Sequence, residues 1–194
     1  MLNKDENRKY LNFNRRFASL LNSSYTNLKE LEFLQISRKH FLSNLDSSLN
    51  VCRKLMKHLY DKDEENKILV FCGLSEQADR VSKYSYHSNT TDKFFNLFDK
   101  GEIRILSVVS KADRGLNING VNVIILESPT KSSTKFMQRT GRGRRLHVND
   151  ELDVYLLVPY YKDMYGKIKP TVVYQWIYSA AAKLKNFKPV TFEF

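Results

Sequence analysis

Four short apolar runs rich in β-branched residues constrain this chain more than any other feature: KILVFC (67–72), IRILSVV (103–109), VNVIIL (121–126) and LDVYLLV (152–158). Each is long enough for a strand, too short for a helix, and bounded by turn signals. Strands that stay apolar at successive positions, instead of alternating, must be covered on both faces. Helix-like stretches lie between the runs, at Ser75 to Lys83, Thr91 to Lys100 and Ser132 to Arg139, and a further short strand is predicted near Tyr84 to His87. Val172, Val173, Trp176, Ile177 and Ala180 recur at helical spacing and predict a closing helix on the sheet. The fold class that follows is α/β, a mostly parallel sheet flanked by helices.

Upstream of residue 60 the apolar period is that of a helix. Phe41, Leu45, Leu49, Cys52, Leu55 or Met56, and Leu59 keep to one face at a period near 3.6. Tyr25, Leu28, Leu31 and Leu34 repeat the pattern, and Phe13, Phe17, Leu20 and Leu21 do so more weakly. The charged string DKDEENK (61–67) then predicts a solvated loop. Two parts are expected: a helical N-terminal extension or linker over 1–60, and an α/β domain over 61–194. A chain of 194 residues buries roughly 70% of its unfolded surface on folding, so it needs no staples. Cys52 and Cys72 belong to no CxxC pair, which excludes a zinc ribbon or a disulfide framework. The longest apolar run, Ile68 to Cys72, is far short of a membrane span, and the charged N-terminus has no apolar signal core. A cytoplasmic protein with no membrane partner is expected, in the host cytoplasm if the source is viral.

The net charge of +11 points to a polyanionic partner, with a solubilising excess of lysine as the plain alternative. Residues 1–60 hold 11 basic and 5 acidic side chains, while 61–150 hold 15 and 12. Four arginines of that nearly balanced section fall in one heptapeptide, RTGRGRR at 139–145.

An ordered constellation runs through the α/β part: FCGLS (71–75), YHS (86–88), SKADRGLNI (110–118) and QRTGRGRR (138–145). In order and spacing these resemble motif IV, the short motif that follows it, motif V and motif VI of the second RecA-like domain of a superfamily 2 helicase. The resemblance covers about residues 67–158. The context of motif VI looks more like the phage recombination and restriction-motor branch than the DEAD-box RNA branch, which leans the expectation toward DNA over RNA.

In QRTGRGRR, Gln138, Arg142 and Arg145 stand at offsets 0, 4 and 7, on one side of a helix end, and Gly141 and Gly143 permit close backbone approach. Planar guanidinium groups suit the spread charge of a transferring γ-phosphoryl group. The resemblance implies that Arg142 and Arg145 are arginine fingers, that Gln138 holds the motif toward the nucleotide, and that Arg139 links to nucleic acid or the partner domain. The alternative is a basic patch that binds phosphate backbone without catalysis. In motif V the resemblance places Gly115 and Asn117 at the ribose or phosphate of ATP. Many members carry Asp where Asn117 stands, and Asn keeps an acceptor but loses the charge. They often have Thr where Val109 stands, so Ser107, Ser110 or Lys111 would supply the contact to a strand phosphate. Gly115 as a simple helix C-cap is the alternative.

Gly73 and Ser75 follow a strand and open a helix, an arrangement that offers N–H groups to a nucleic-acid phosphate; an ordinary Ser N-cap is the competing account. His87 and Ser88 sit after the next short strand, where the family reaches the bound nucleic acid. No metal site is expected within the chain itself.

None of the seven glycines builds the phosphate-cradling GxxxxGK[ST]. DEEN (63–66) is preceded by Asp61 and Lys62, not by a hydrophobic strand, so it fails as a Walker B box. The resemblance implies ATP with Mg2+ in a cleft between two lobes, held mainly by an N-terminal RecA-like P-loop domain that this sequence lacks. The chain is therefore expected to be either a piece of a larger helicase or one subunit of a split motor, inactive alone. The rivals are a non-enzymatic nucleic-acid-binding module and a regulatory or scaffolding protein that retains the fold.

Overall fold

The computed structural model describes residues 1–23, 27–109, 118, 120–128 and 152–181. Three helices come first: α1 (Lys4–Leu21), α2 (Leu28–Leu42) and α3 (Asp46–Lys62). The α/β part follows with β1 (Ile68–Phe71), α4 (Ser75–Val81), β2 (Ser85–Tyr86), α5 (Lys93–Asp99), β3 (Ile105–Val108), β4 (Val123–Leu126) and β5 (Asp153–Leu156). A hairpin, β6 (Tyr160–Lys162) and β7 (Ile168–Pro170), and a last helix, α6 (Val173–Ala181), complete the described chain. The expected helix at 132–139 lies outside the described residues. No described helix is long and apolar enough to cross a membrane.

The four apolar runs and the short strand form a five-stranded sheet in the order β2-β3-β1-β4-β5. Every pairing in it is parallel, with Ile68 opposite both Ile105 and Val123. Successive side chains of a strand point to opposite faces, and both faces are covered. Leu69, Phe71, Leu106, Val108, Ile124 and Leu126 share one core with Leu2, Tyr10, Leu42, Leu45, Phe98, Val173 and Ile177. Ile68, Val70, Cys72, Val123 and Ile125 share the other with Leu49, Cys52, Leu55, Met56 and Leu59 of α3 and with Ala78 and Val81 of α4. Burial of each large aliphatic side chain contributes about 1.5–3 kcal/mol, so α3 is fastened to the sheet by several such terms. α3, placed by its sequence in the extension over 1–60, shares this core with the sheet.

The helical run expected from Phe41 to Leu59 is interrupted. α2 stops at Leu42, Ser43 caps it, and α3 restarts after Leu45. Leu45 stays in phase with the apolar face and is wholly buried, which hides the break from the periodicity. α1 begins earlier than its weak apolar spacing suggests because Asn3 and Glu6 form a capping box. Its start is tied to the hairpin. The Leu2 N–H donates to the Tyr160 carbonyl at 2.7 Å, and the Asn7 amide both donates to and accepts from the Lys162 backbone.

The joint between α2 and α3 meets the sheet where β1 and β4 end. The Ser128 hydroxyl donates to Ser43 Oγ at 2.8 Å, and Gly73 lies directly beneath the pair. A Cβ on Gly73 would stand 2.5 Å from Ser128 Oγ and 2.9 Å from Ser43 Cβ. Gly73→Ala is therefore expected to destabilise the chain by about 1–3 kcal/mol through forced displacement of the joint, measured by urea unfolding. Ser128→Gly in the same chain should recover part of the loss.

Candidate functional site

Parallel strands carry all their C-terminal ends to one edge of the sheet, and in open α/β sheets ligands bind beyond that edge. Here the edge collects Gly73 after β1, His87 and Ser88 after β2, Val109 after β3, and Glu127 and Ser128 after β4. With β3 between β1 and β2, the Gly73 and His87 turns are two inter-strand spacings apart, about 10 Å. Gly115, Asn117, Ser110 and Lys111 of the motif V segment, and Gln138, Arg139, Arg142 and Arg145 of the motif VI segment, lie outside the described residues. Among the described residues no group of three or more His, Cys, Asp or Glu side chains is placed to hold a metal.

The candidate residues that are described divide by exposure. Gly73 is exposed and Ser75 half-buried. Ser75 is the first residue of α4; the N-cap is Leu74, with no side-chain cap. Ser88 is exposed on its turn, where its hydroxyl donates to Asn89 Oδ1 at 3.2 Å. Ser107 and His87 are turned inward. Ser107 is wholly buried, and its hydroxyl is spent on the carbonyls of Ala78 at 2.7 Å and Tyr84 at 3.1 Å. Its position in β3 points it at α4, where it joins strand to helix.

His87 is only 4% exposed. Its Nδ1 accepts from the Asn89 N–H at 3.3 Å, which leaves Nε2–H to donate to Asp79 Oδ1 at 3.0 Å. The backbone closes the turn: the His87 N–H donates to Thr90 Oγ1 at 2.9 Å, and the Thr90 hydroxyl returns to the His87 carbonyl at 3.0 Å. Partial desolvation pushes the Asp79 carboxyl upward, but hydrogen bonds from Ser85 and His87 outweigh it and hold the group below the usual range. His87 therefore builds the turn that presents Ser88.

One polar pair escaped the sequence reading. Glu127 follows β4 directly and is 2% exposed, and Gln77 of α4 is wholly buried. The Gln77 amide donates to Glu127 Oε1 at 2.9 Å, while Glu127 Oε2 and Gln77 Oε1 have no protein hydrogen-bond partner. Burial raises the Glu127 carboxyl to about 7, against the easing effects of Gln77, Ser48 and Arg80. Arg80 is itself held by Asp46 of α3. The only sign in the sequence was a carboxylate closing an otherwise apolar strand.

The family model described as the helicase conserved C-terminal domain matches residues 50–147. That is half of the chain, and the chain belongs to this family. Among curated relatives, it is 27% identical over 109 residues to "ATP-dependent RNA helicase DBP2" of Chaetomium globosum, covering 47% of this chain and 19% of the relative. It is 28% identical over 100 residues to "ATP-dependent RNA helicase DHH1" of Saccharomyces cerevisiae, covering 45% of this chain and 20% of the relative. The chain thus spans about a fifth of these relatives. Among solved structures, S. cerevisiae Dbp5 L327V bound to RNA and ADP BeF3 superposes with a TM-score of 0.56 at 10% identity, over 72% of this chain and 38% of that one. The likeness establishes the RecA-like fold of the sheet and its helices. The lean toward phage and restriction DNA motors is corrected here, since these curated relatives are named as RNA helicases. The family match also begins inside α3, in keeping with the core that α3 shares with the sheet.

Two outcomes test this account of the buried groups. Ser107→Ala should lower stability by about 0.5–1.5 kcal/mol and leave nucleic-acid affinity unchanged, as read by unfolding and by fluorescence anisotropy. For Glu127, the folded chain binds the proton more tightly than the unfolded one. Its penalty is absent below the unfolded value of 4.5 and complete above about 7, on the order of 3 kcal/mol. Wild type should therefore lose stability relative to Glu127→Gln as pH rises from 5 to 8 in urea titrations.

Proposed function

We propose that this chain is the second RecA-like lobe of an ATP-dependent nucleic-acid helicase or translocase, acting on RNA. The observation that carries the reading is the family match over 50–147, which spans all four motif segments up to RTGRGRR. The five-stranded parallel sheet gathers the ends of β1 and β2, with the FCGLS and YHS segments, at one edge, which supports the reading. RNA is favoured over DNA by the relatives' names.

In this reading the ATP cleft has two walls. A P-loop lobe, in the same full-length protein or another subunit, holds Mg2+ and the phosphates. This chain supplies Arg142 and Arg145 to offset charge on the transferring γ-phosphoryl group, with Gln138 positioning the motif and Gly115 and Asn117 beside the ribose. Gly73, Ser75 and Ser88 grip the sugar-phosphate backbone together with Ser110, Lys111 and Arg139. Such a grip carries little sequence information. Nucleotide-driven closure of the two lobes then moves one grip relative to the other.

The test joins this chain to its P-loop lobe, as the full-length protein or in trans, and measures ATPase activity with single-stranded RNA or DNA. Stimulation by RNA is expected, and the chain alone should show no turnover. Arg142→Ala should lower kcat by about 10³-fold or more with RNA affinity nearly unchanged. Loss of RNA affinity with no specific loss of turnover would instead favour a non-catalytic basic patch.

A further inference from the structure

We infer that the face of α1 carrying Lys9, Asn12, Phe13 and Arg16, closed by Phe41 of α2, is a subsite for single-stranded nucleic acid, with a base against the rings and backbone phosphates at the two cations. The inference rests on the second-lobe reading, which supplies a nucleic-acid strand to this chain.

These five residues line a cavity of about 240 Å³. Four of them stand at i, i+3, i+4 and i+7 on α1, one face of the helix. The rings of Phe13 and Phe41 are 5.5 Å apart and tilted by 37°. They are half-buried, whereas Lys9, Asn12 and Arg16 are exposed. A half-buried ring pair bordered by cations and an amide is the composition of a groove in which bases stack and phosphates are neutralised. Arg16 meets Glu30 at 3.8 Å with both side chains about half exposed, a contact that water screens and an incoming phosphate can replace. Arg38 lies over the Phe17 ring at 4.0 Å and braces α1 against α2 without entering the cavity.

Spacing and position favour a strand over a small anion. Lys9 and Arg16 are seven residues apart, about 10.5 Å along a helix axis, a separation suited to successive phosphates of an extended polyanion. Phe41 stands two residues before Ser43, whose hydroxyl is bonded to Ser128 and whose Cβ crowds Gly73. The helix that carries Phe41 therefore ends at the joint beside Gly73. An acidic peptide could meet the two cations but brings no planar bases to the rings.

The experiment uses the intact 194-residue chain and a fluorescein-labelled 12-nucleotide oligouridylate, read by anisotropy between 50 and 200 mM salt. Lys9→Ala/Arg16→Ala should weaken binding at least tenfold at 50 mM salt. It should also reduce the slope of log K against log salt by about 1.4, the value for two single-strand phosphates. Phe13→Leu should weaken binding about fivefold or more at every salt concentration with the slope unchanged, and Lys9→Arg should bind as wild type. Both cations are exposed, so thermal unfolding of the double variant should match wild type. Wild-type affinity and slope in the double variant would overturn the proposal. So would failure of the wild-type chain to bind the oligonucleotide, or binding of a polyglutamate peptide in its place. Failure of the second-lobe reading registers separately, as loss of RNA-stimulated ATPase and of the Arg142 effect in the assembled motor.

Discussion

The central strand β1 is hydrogen-bonded on both edges to parallel neighbours, and all four of its residues, Ile68 to Phe71, are wholly buried. A strand in that position exposes apolar side chains on two faces at once, and each must be covered by something else in the chain. α3, which immediately precedes β1, covers one face with α4. The other requires segments from far apart in sequence: Leu2 and Tyr10 from the start, Phe98 from α5, and Val173 and Ile177 from α6. That demand draws the beginning of the chain against its later elements. The Val172 N–H donates to Tyr10 Oη at 2.9 Å, and the Tyr10 ring meets Tyr161 edge-on at 4.8 Å. The residues before α3 are thus part of the folded body.

The strands were legible because a doubly covered strand writes an uninterrupted apolar run, and all four runs became strands within a few residues of the expected ends. What the pattern could not show was where an in-phase helix is cut. Leu45 satisfies the helical period while serving as the N-cap of α3, so only Ser43 and Asn44 marked the break. The β6–β7 hairpin was missed for the opposite reason. YYKDMYGKIKP has little apolar alternation, with Tyr165 and Ile168 largely exposed. The hairpin is held instead by turn chemistry. Asp163 Oδ1 accepts the N–H groups of Tyr165 and Lys167, and Gly166 adopts φ +75°, a region open to glycine.

Site residues were legible by type but not by direction. Ser107 and His87 have the chemistry to bind a phosphate, yet strand parity and turn closure aim both inward. Their hydrogen-bonding capacity is consumed by Ala78, Tyr84, Asp79 and Asn89. Glu127 presents the converse case. A carboxylate at a strand end is ordinarily solvated, and nothing in the local pattern announces that Gln77 and α3 will enclose it. The cavity residues Lys9, Asn12, Phe13 and Arg16 were hidden for a related reason. Phe13 is the single apolar side chain among them and fits an ordinary helical spacing, so nothing local marks it as part of a cavity.

The contact of Gly73 with Ser43 and Ser128 connects these points. It places the α2–α3 joint at the same edge of the sheet that collects the turns after β1, β2 and β4, so the helical segment forms part of the rim around the motif IV backbone. A glycine is needed there because two side chains already occupy the space a Cβ would take. The same contact ends α2, the helix that carries Phe41, beside Gly73. In the proposed function, a nucleic acid held at the Gly73 turn would lie beside this joint, whose position is set by packing.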